Sequence, residues 1–502
     1  MRKDFLAFRP ICILLLLTAA AMLIHGYHAG VEDQDVYLAA VNKSLSPELY
    51  PVNSVFFTEQ MKSSLFIQAV AGSVRLTGIP VPWALLLWQA GSTLLVLLGC
   101  WRVASACFES EAARWAGVLL VTVLLTMPIA GTALFLVDPY LHPRALATGA
   151  ILLALASCLD KKWLLTGAWL LAAGVMHPLM ALFGVSLIVF AGVEPWAKRQ
   201  TETGEDELGV GKAEIAEVAT AFMLLPLGLL THPSLAWKEA TLARRYYFPL
   251  QWTWYEWLGL IAPVVLVWWF GRIARRYEMA TMERLARRLV VFALFQFAVG
   301  ALMTFPAVTE QLSSFQPMRW LHIFYFLFLL MAGGLAAEFV LQRKAWRWAI
   351  LFIPLAATMF FVQRDLYRYS DHIEWPGQMP KNPWAKAFLW SDVHTPQDAV
   401  FAIDPKYMGL HEEDGYGMRA LAKRSLLAEN EKDPGAATVF PELATQWQEQ
   451  VHAQRGIESF TLAQFHQLNR RYGVSWAVLP VTAEVRLECP YRNEAAQVCK
   501  VE

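Results

Sequence analysis

Residues 163–193 read WLLTGAWLLAAGVMHPLMALFGVSLIVFAGV, thirty-one positions without one Asp, Glu, Lys or Arg. A bilayer span needs about 20 apolar residues, within a range near 17–25. The run is therefore long for one span and short for two. Proline disfavours a helix continuing through its position, and His177-Pro178 sits in the middle. The stretch predicts two short helices with a turn at Met176-His177-Pro178.

Nine further charge-free intervals flank it: 10–31, 76–101, 115–137, 145–159, 218–237, 257–271, 289–309, 320–337 and 348–363. With the split at 177 they predict about eleven transmembrane helices. A ten-span count puts the arginines 272, 275, 276, 284, 287 and 288 on the outside, against the preference of basic loops for the cytoplasm. An eleven-span count puts them inside, with Arg2, Lys3, Arg102, Arg114, Lys161, Lys162, Lys198, Arg199, Lys212, Arg343, Lys344 and Arg347. The N-terminus is then cytoplasmic and the C-terminus outside. A basic start and an apolar core from Ile11 to Ile24 also suit a cleaved signal; cleavage would remove the first span and leave the other sides unchanged. The apolar segment 64–75 is too short to span and reads as a helix along the membrane surface.

Charge density divides the chain. Of its 84 Asp, Glu, Lys and Arg residues, 34 fall in positions 363–502, about twice the density of the first 362. The sequence predicts a polytopic α-helical membrane domain, 1–362, whose first external loop covers 27–63. A small extracytoplasmic α/β domain, 363–502, follows it. In that domain Ala399–Ile403 and Trp476–Leu479 read as strands, and Leu443–Val451 and Leu462–Arg471 as helices. This pattern excludes a plain soluble enzyme, a disordered chain and a nucleic-acid binder relying on excess basic charge. With the N-terminus cytoplasmic, the protein is expected in the cytoplasmic (inner) membrane, its C-terminal domain outside, in the periplasm if the cell has one.

The polar residues beside the spans gather on the outside: Glu32, Asp33, Asp35 and Tyr37; Asp138, Tyr140, His142 and Arg144; His177 and His232; Arg244, Arg245, Tyr246 and Tyr247; Glu310, Gln311, Gln316 and Arg319; and His322 just inside its span. Ionisable groups at membrane depth usually mark a functional cavity. Each cluster also has a plainer reading. Glu32 to Asp35 could start a solvated loop, and 138–144 could be a capped turn with Pro143 opening a helix. Arg244 and Arg245 could anchor headgroups, and His177 could simply satisfy a turn. Three acids within four residues suit a general base or a metal site. The candidate site is Glu32, Asp33 and Asp35 for chemistry, with Tyr37, Asp138, His142, Arg144, His177, Arg244, Arg245, Gln316 and Arg319 for substrate.

Cys12, Cys100, Cys107 and Cys158 lie in or beside spans and read as small apolar residues. Cys489 and Cys499 lie near the ends of a predicted hairpin, where a disulfide suits an oxidising compartment. The sequence holds no metal-spaced Cys/His set, nucleotide-binding glycine loop or Ser-His-Asp order.

The pattern resembles the GT-C superfamily of polytopic membrane glycosyltransferases, whose members carry an acidic motif, often Asp-Glu-x-x-Tyr, just after the first span. Asp33-Gln34-Asp35-Val36-Tyr37 matches its first and last positions. Gln34 replaces the second acid, while Glu32 and Asp35 supply acids one position away. The stretches 142–147 (HPRALA) and 176–181 (MHPLMA) resemble uncharacterised bacterial GT-C-like proteins. The resemblance implies a polyprenyl-phosphate-linked sugar donor, an extracytoplasmic glycan, lipid or protein acceptor, and Asp33 as base. A divalent metal ion, if used, would fall to Asp33 and Asp35. Membrane lipids are expected partners and nucleic acid is not. A transporter or flippase of lipid-linked saccharide, or an inactive GT-C-like scaffold, would share the topology. The charges lie on one side rather than across the membrane, and no internal repeat is evident, which favours the enzyme over the transporter.

Overall fold

The computed structural model describes residues 8–192, 234–410 and 412–501. The described helices before position 367 begin with α1 (Phe8–His25), α2 (Gln34–Leu45), α3 (Val55–Met61), α4 (Phe66–Thr77), α5 (Val81–Cys107), α6 (Glu111–Val123), α7 (Pro143–Leu159), α8 (Trp163–Met176) and α9 (Pro178–Gly192). They continue with α10 (Leu235–Leu242), α11 (Trp254–Arg276), α12 (Ala280–Thr304), α13 (Leu321–Ala336) and α14 (Ala345–Leu366).

Five helical stretches among the described residues are long and apolar enough to cross a bilayer: Val81–Cys107, Trp254–Arg276, Ala280–Thr304, Thr309–Leu341 and Ala345–Leu366. Four shorter apolar helices accompany them, Arg9–His25, Pro143–Leu159, Trp163–Met176 and Pro178–Gly192. The interval 115–137 departs from expectation. Its helix ends at Val123, and Pro128–Ile129 (β1) pairs antiparallel with Leu134–Phe135 (β2). Gly131 and Ala133 turn the hairpin at positive φ. Thirteen residues of α6 make only about 20 Å of helix. The interval 218–237, like His232, lies largely outside the described residues. The split at His177-Pro178 is as the sequence predicts, with Pro178 opening α9.

Helix α7 positions the site. Every residue from Pro143 to Cys158 is buried, so this short helix is sheathed by protein. It crosses α5 where Gly99 meets Gly149. A Cβ on Gly99 would lie 2.6 Å from the Leu152 Cβ, and one on Gly149 2.8 Å from the Leu95 Cγ. Small residues permit such close approach between membrane helices. The segment read as a surface helix forms α4. It is tied to the end of α8 by the Ser64 hydroxyl on the Met176 carbonyl (2.7 Å) and the Leu65 N–H on that of Val175 (2.9 Å).

The C-terminal region carries α15 (Pro383–His394), α16 (Met418–Ala422), α17 (Asp433–Val439), α18 (Ala444–Gln454) and α19 (Leu462–Tyr472). Its strands are β3 (Val400–Ala402), β4 (Ser425–Leu426), β5 (Trp476–Pro480), β6 (Glu488–Arg492) and β7 (Ala496–Lys500), in the order β4-β3-β5-β7-β6. The β3 strand pairs parallel with β4 and β5, and β7 pairs antiparallel with β5 and β6. Period-two alternation gives each face its own core. Phe401, Trp476, Val478 and Val498 pack with Trp384 and Phe388, while Ala402, Leu479 and Cys499 pack with Phe465 and Leu468. Cys489 and Cys499 form a disulfide between β6 and β7.

The first loop is woven into this region. Tyr27 bridges to Ile373 and Val31 to Tyr416, and the Glu32 N–H donates to the Gly415 carbonyl at 2.6 Å. Ala29 N–H donates to Glu374, which also accepts the Tyr416 hydroxyl. Burial raises the Glu374 carboxyl to about 8. At Gly417 the backbones are so close that a Cβ would lie 2.4 Å from the Asp35 Cβ.

Candidate functional site

The site is built at the N-terminus of α7. His142 caps it: its Nδ1 accepts the Arg144 N–H at 3.0 Å. That bond leaves the ring proton on Nε2, which lies 3.3 Å from the Asp33 Oδ2. Burial, then the Arg144 charge, holds His142 below its ordinary value, so the ring is a neutral donor to the carboxylate. Tyr37 stands edge-on to that ring at 4.8 Å, and His177 stacks beyond it at 6.1 Å.

Asp33 precedes α2, after Glu32 in a left-handed conformation (φ 52). Its Oδ1 lies 3.2 Å from Lys432 Nζ, and the same ammonium pairs with Glu32. The Asp33 side chain is 34% exposed, whereas Lys432 is mostly covered. Burial works against the Asp33 charge. Lys432, the His142 hydrogen bond and Arg144 outweigh it and hold the carboxyl well below the usual carboxylate range.

Arg144, 2% exposed, pairs with Asp138 at 2.7 Å through one Nη. Among the described residues its Nε and other Nη have no hydrogen-bond partner, nor do the buried Nε atoms of Arg244 and Arg319. Each of the three guanidinium groups lies within electrostatic reach of Asp33. Arg244 also donates to the Tyr246 hydroxyl (2.6 Å) and to the Lys432 carbonyl (2.9 Å). Unpaired buried donors are costly, and three guanidinium groups that carry them, each within electrostatic reach of one carboxylate, suit an anion with several oxygens.

No protein-family model matches the chain, and no curated protein does.

The remaining predicted residues take other partners. Asp35 is fully buried and accepts the N–H groups of Arg419 (2.8 Å) and Ala420 (3.3 Å), which binds the first loop to α16. Burial raises its carboxyl above the ordinary value, with Arg419 opposing. Residues two apart on a helix do not face each other, and Asp33 and Asp35 accordingly take different partners. Among the described residues no group of three or more His, Cys, Asp and Glu is arranged to hold a metal ion. Gln34, in place of the expected acid, uses both ends of its amide. Its nitrogen donates to the Leu141 carbonyl (3.1 Å), and its oxygen accepts the Gly30 N–H (2.6 Å). A carboxylate there would set an acceptor against the carbonyl of the segment carrying His142.

Arg245 turns away to Glu256 (2.7 Å), at the capping box of α11. Gln316, at φ 51, donates to the Tyr247 hydroxyl (3.1 Å), and its own oxygen has no hydrogen-bond partner among the described residues. His177 caps α9 by accepting the Met180 N–H at 3.4 Å, the plainer of its two readings. Lys432, which completes the site, was not among the predicted residues. It lies in the charged run Glu429-Asn430-Glu431-Lys432-Asp433, which reads as an ordinary solvated turn.

Proposed function

We propose that the protein is a GT-C-type glycosyltransferase of the bacterial cytoplasmic membrane, with about eleven spans and the C-terminal region outside. It moves a sugar from a polyprenyl-phosphate carrier to an extracytoplasmic acceptor. The observation that carries the reading is one carboxylate, Asp33, held in its ionised form and within electrostatic reach of three arginines that have buried donors without a hydrogen-bond partner among the described residues.

In the inverting reaction Asp33 takes the proton of an acceptor hydroxyl. The acceptor oxygen attacks the anomeric carbon as the carbon–oxygen bond to phosphate breaks, and the polyprenyl phosphate leaves with that electron pair. Arg144, Arg244 and Arg319 neutralise the departing oxygens, a preorganised electrostatic stabilisation. His142 holds the carboxylate in place through Nε2. While Lys432 rests on Asp33 the carboxylate is a weak base. A bound phosphate competes for that ammonium and returns basicity to Asp33 as the substrate arrives.

Arg144→Ala and Arg319→Ala should each weaken donor binding by about tenfold or more, the usual scale for a charge-assisted hydrogen bond. Native mass spectrometry of the solubilised protein titrated with a polyprenyl phosphate reads this directly. Affinity unchanged in both variants would remove the arginines from the donor site.

The orientation is tested by cysteine accessibility in a Cys12→Ser background. A cysteine at Val393, whose side chain is 75% exposed, should react with an impermeant thiol reagent once the outer membrane is opened. One at Tyr277, beside the arginine-rich turn, should react only after the inner membrane is lysed. The opposite pattern would invert the topology and put Asp33 on the wrong side for a lipid-linked donor.

A further inference from the structure

The GT-C resemblance gives a divalent metal, if one is used, to Asp33 and Asp35. Such an ion takes about six oxygen ligands, and any carboxylate or imidazole that binds it must offer a free lone pair. The acids of the site are already matched to protein cations. Asp35 and Asp433 meet Arg419, Asp138 meets Arg144, and Glu32 and Asp33 share Lys432. His142 has no lone pair to offer: Nδ1 accepts the Arg144 N–H at 3.0 Å, and Nε2 carries its proton toward Asp33. Gln34, where the motif often has its second acid, holds Gly30 and Leu141 with the two ends of its amide. These residues do not fit a divalent metal.

A cation nevertheless stands between two of the carboxylates. Lys432 Nζ lies 3.2 Å from the Asp33 Oδ1 and pairs with Glu32, and its side chain is more covered than either acid. The turn that carries it is pinned from both sides. The Lys432 N–H donates to the buried Glu429 at 2.7 Å, and its carbonyl accepts Arg244 Nη2 at 2.9 Å. The next residue, Asp433, is held through both oxygens by Arg419. The ammonium is thus fixed by one arginine within electrostatic reach of Asp33 and by the arginine that meets Asp35.

Charge opposes a second cation here. A divalent ion would have to displace Lys432 and then face Arg144, Arg244 and Arg319, all within electrostatic reach of Asp33. A lysine ammonium is a compact point charge with three donors, enough to meet both acids and one phosphate oxygen together. We infer that Lys432 takes the place of the metal: it is the cation that links the Asp33 carboxylate to the donor phosphate, and the site works without a divalent ion.

The inference rests on the transferase reading, and its test separates the two without turnover. The full-length protein in detergent is stripped with EDTA, and its affinity for a polyprenyl phosphate is read by native mass spectrometry. Affinity should match that of the untreated protein and should not rise with added Mn²⁺. Paramagnetic resonance of Mn²⁺ should show no uptake that Asp33→Asn abolishes. Lys432→Met should weaken binding of the polyprenyl phosphate about tenfold, the scale of losing a charged hydrogen bond. Lys432→Arg, which keeps the cation, should recover most of that loss. Affinity lost on stripping and restored by Mn²⁺ overturns the inference while leaving the donor site in place. Mn²⁺ uptake abolished by Asp33→Asn overturns it too, as does an unchanged affinity in Lys432→Met. An equal loss in both lysine variants would reduce Lys432 to a support for its turn, and overturns it as well. No binding by the wild type with or without Mn²⁺ removes the donor reading itself, and this inference with it.

Discussion

On the proposed transferase reading, Asp33→Asn should lower sugar transfer by about 10²–10⁴-fold, the usual contribution of a positioned general base, and should leave the protein folded. The amide oxygen can still accept the His142 Nε2 proton where the carboxylate now sits at 3.3 Å, and Lys432 keeps Glu32 as a partner. Donor binding survives, because the arginines are untouched. Lys432→Met tests the same group through pH. Burial opposes the Asp33 charge and Lys432 is the foremost group favouring it. Removing the ammonium therefore raises the Asp33 pKa, and the acid limb of the transfer profile moves to higher pH. By the same sign, the native pairing contributes stability present above the ordinary carboxylate pKa and lost as pH falls through the depressed one. Full transfer by Asp33→Asn, with loss in Glu32→Gln or Asp35→Asn, would assign the base to another acid. Silence of all three would leave a scaffold or a transporter.

Arg419→Ala costs about 3–5 kcal/mol, the range for removing one partner of a buried ion pair. Arg419 pairs with both oxygens of Asp433 at 2.8 and 2.7 Å, with Asp35 at 3.5 Å and with Glu429 at 3.6 Å. All four side chains are buried. Without the guanidinium three carboxylates share one dry region, and the clasp between the first loop and the strand-bearing region opens. Burial, then the Asp433 charge, already raises Glu429 to about 8. Protonation relieves the unpaired acids, so the loss should be smaller at pH 5 than at pH 8. Arg419→Lys keeps the charge but not the fork, and should fall between. Thermal unfolding in detergent at both pH values reads the effect, and an unchanged midpoint in Arg419→Ala would contradict it.

Charge-free runs locate helices well because lipid and protein interior both reject unpaired charge. The paired helices at 163–193 were legible in this way, with Pro178 marking the break; strands and helices in 363–502 showed in their residue pattern, and the Cys489–Cys499 pair in its place at the ends of a short hairpin. Length was not legible. The apolar interval 115–137 holds a helix and a hairpin, since apolarity alone cannot tell strand from helix in a short run. In the site, Asp33, His142 and Arg144 could be chosen because each stands at the end of an apolar segment on one predicted side. Asp35 could not be told from Asp33 by local reading. Its partner is Arg419, 384 residues onward, and a motif carries no trace of such a contact. Lys432 was hidden for the same reason, in a run whose charges look solvated until Arg419 and Arg244 are seen holding it.

The central claim is that the arginines beside Asp33 bind a lipid phosphate. A cryo-EM map of the protein in nanodiscs with a polyprenyl phosphate tests it most directly. The account predicts headgroup density between Arg144, Arg244 and Arg319, within hydrogen-bond distance of the now unpaired Arg144 nitrogens, with Lys432 drawn toward it from Asp33. A well-resolved map showing the headgroup only at the arginine-rich turn between α11 and α12, with the region beside Asp33 vacant, would contradict it.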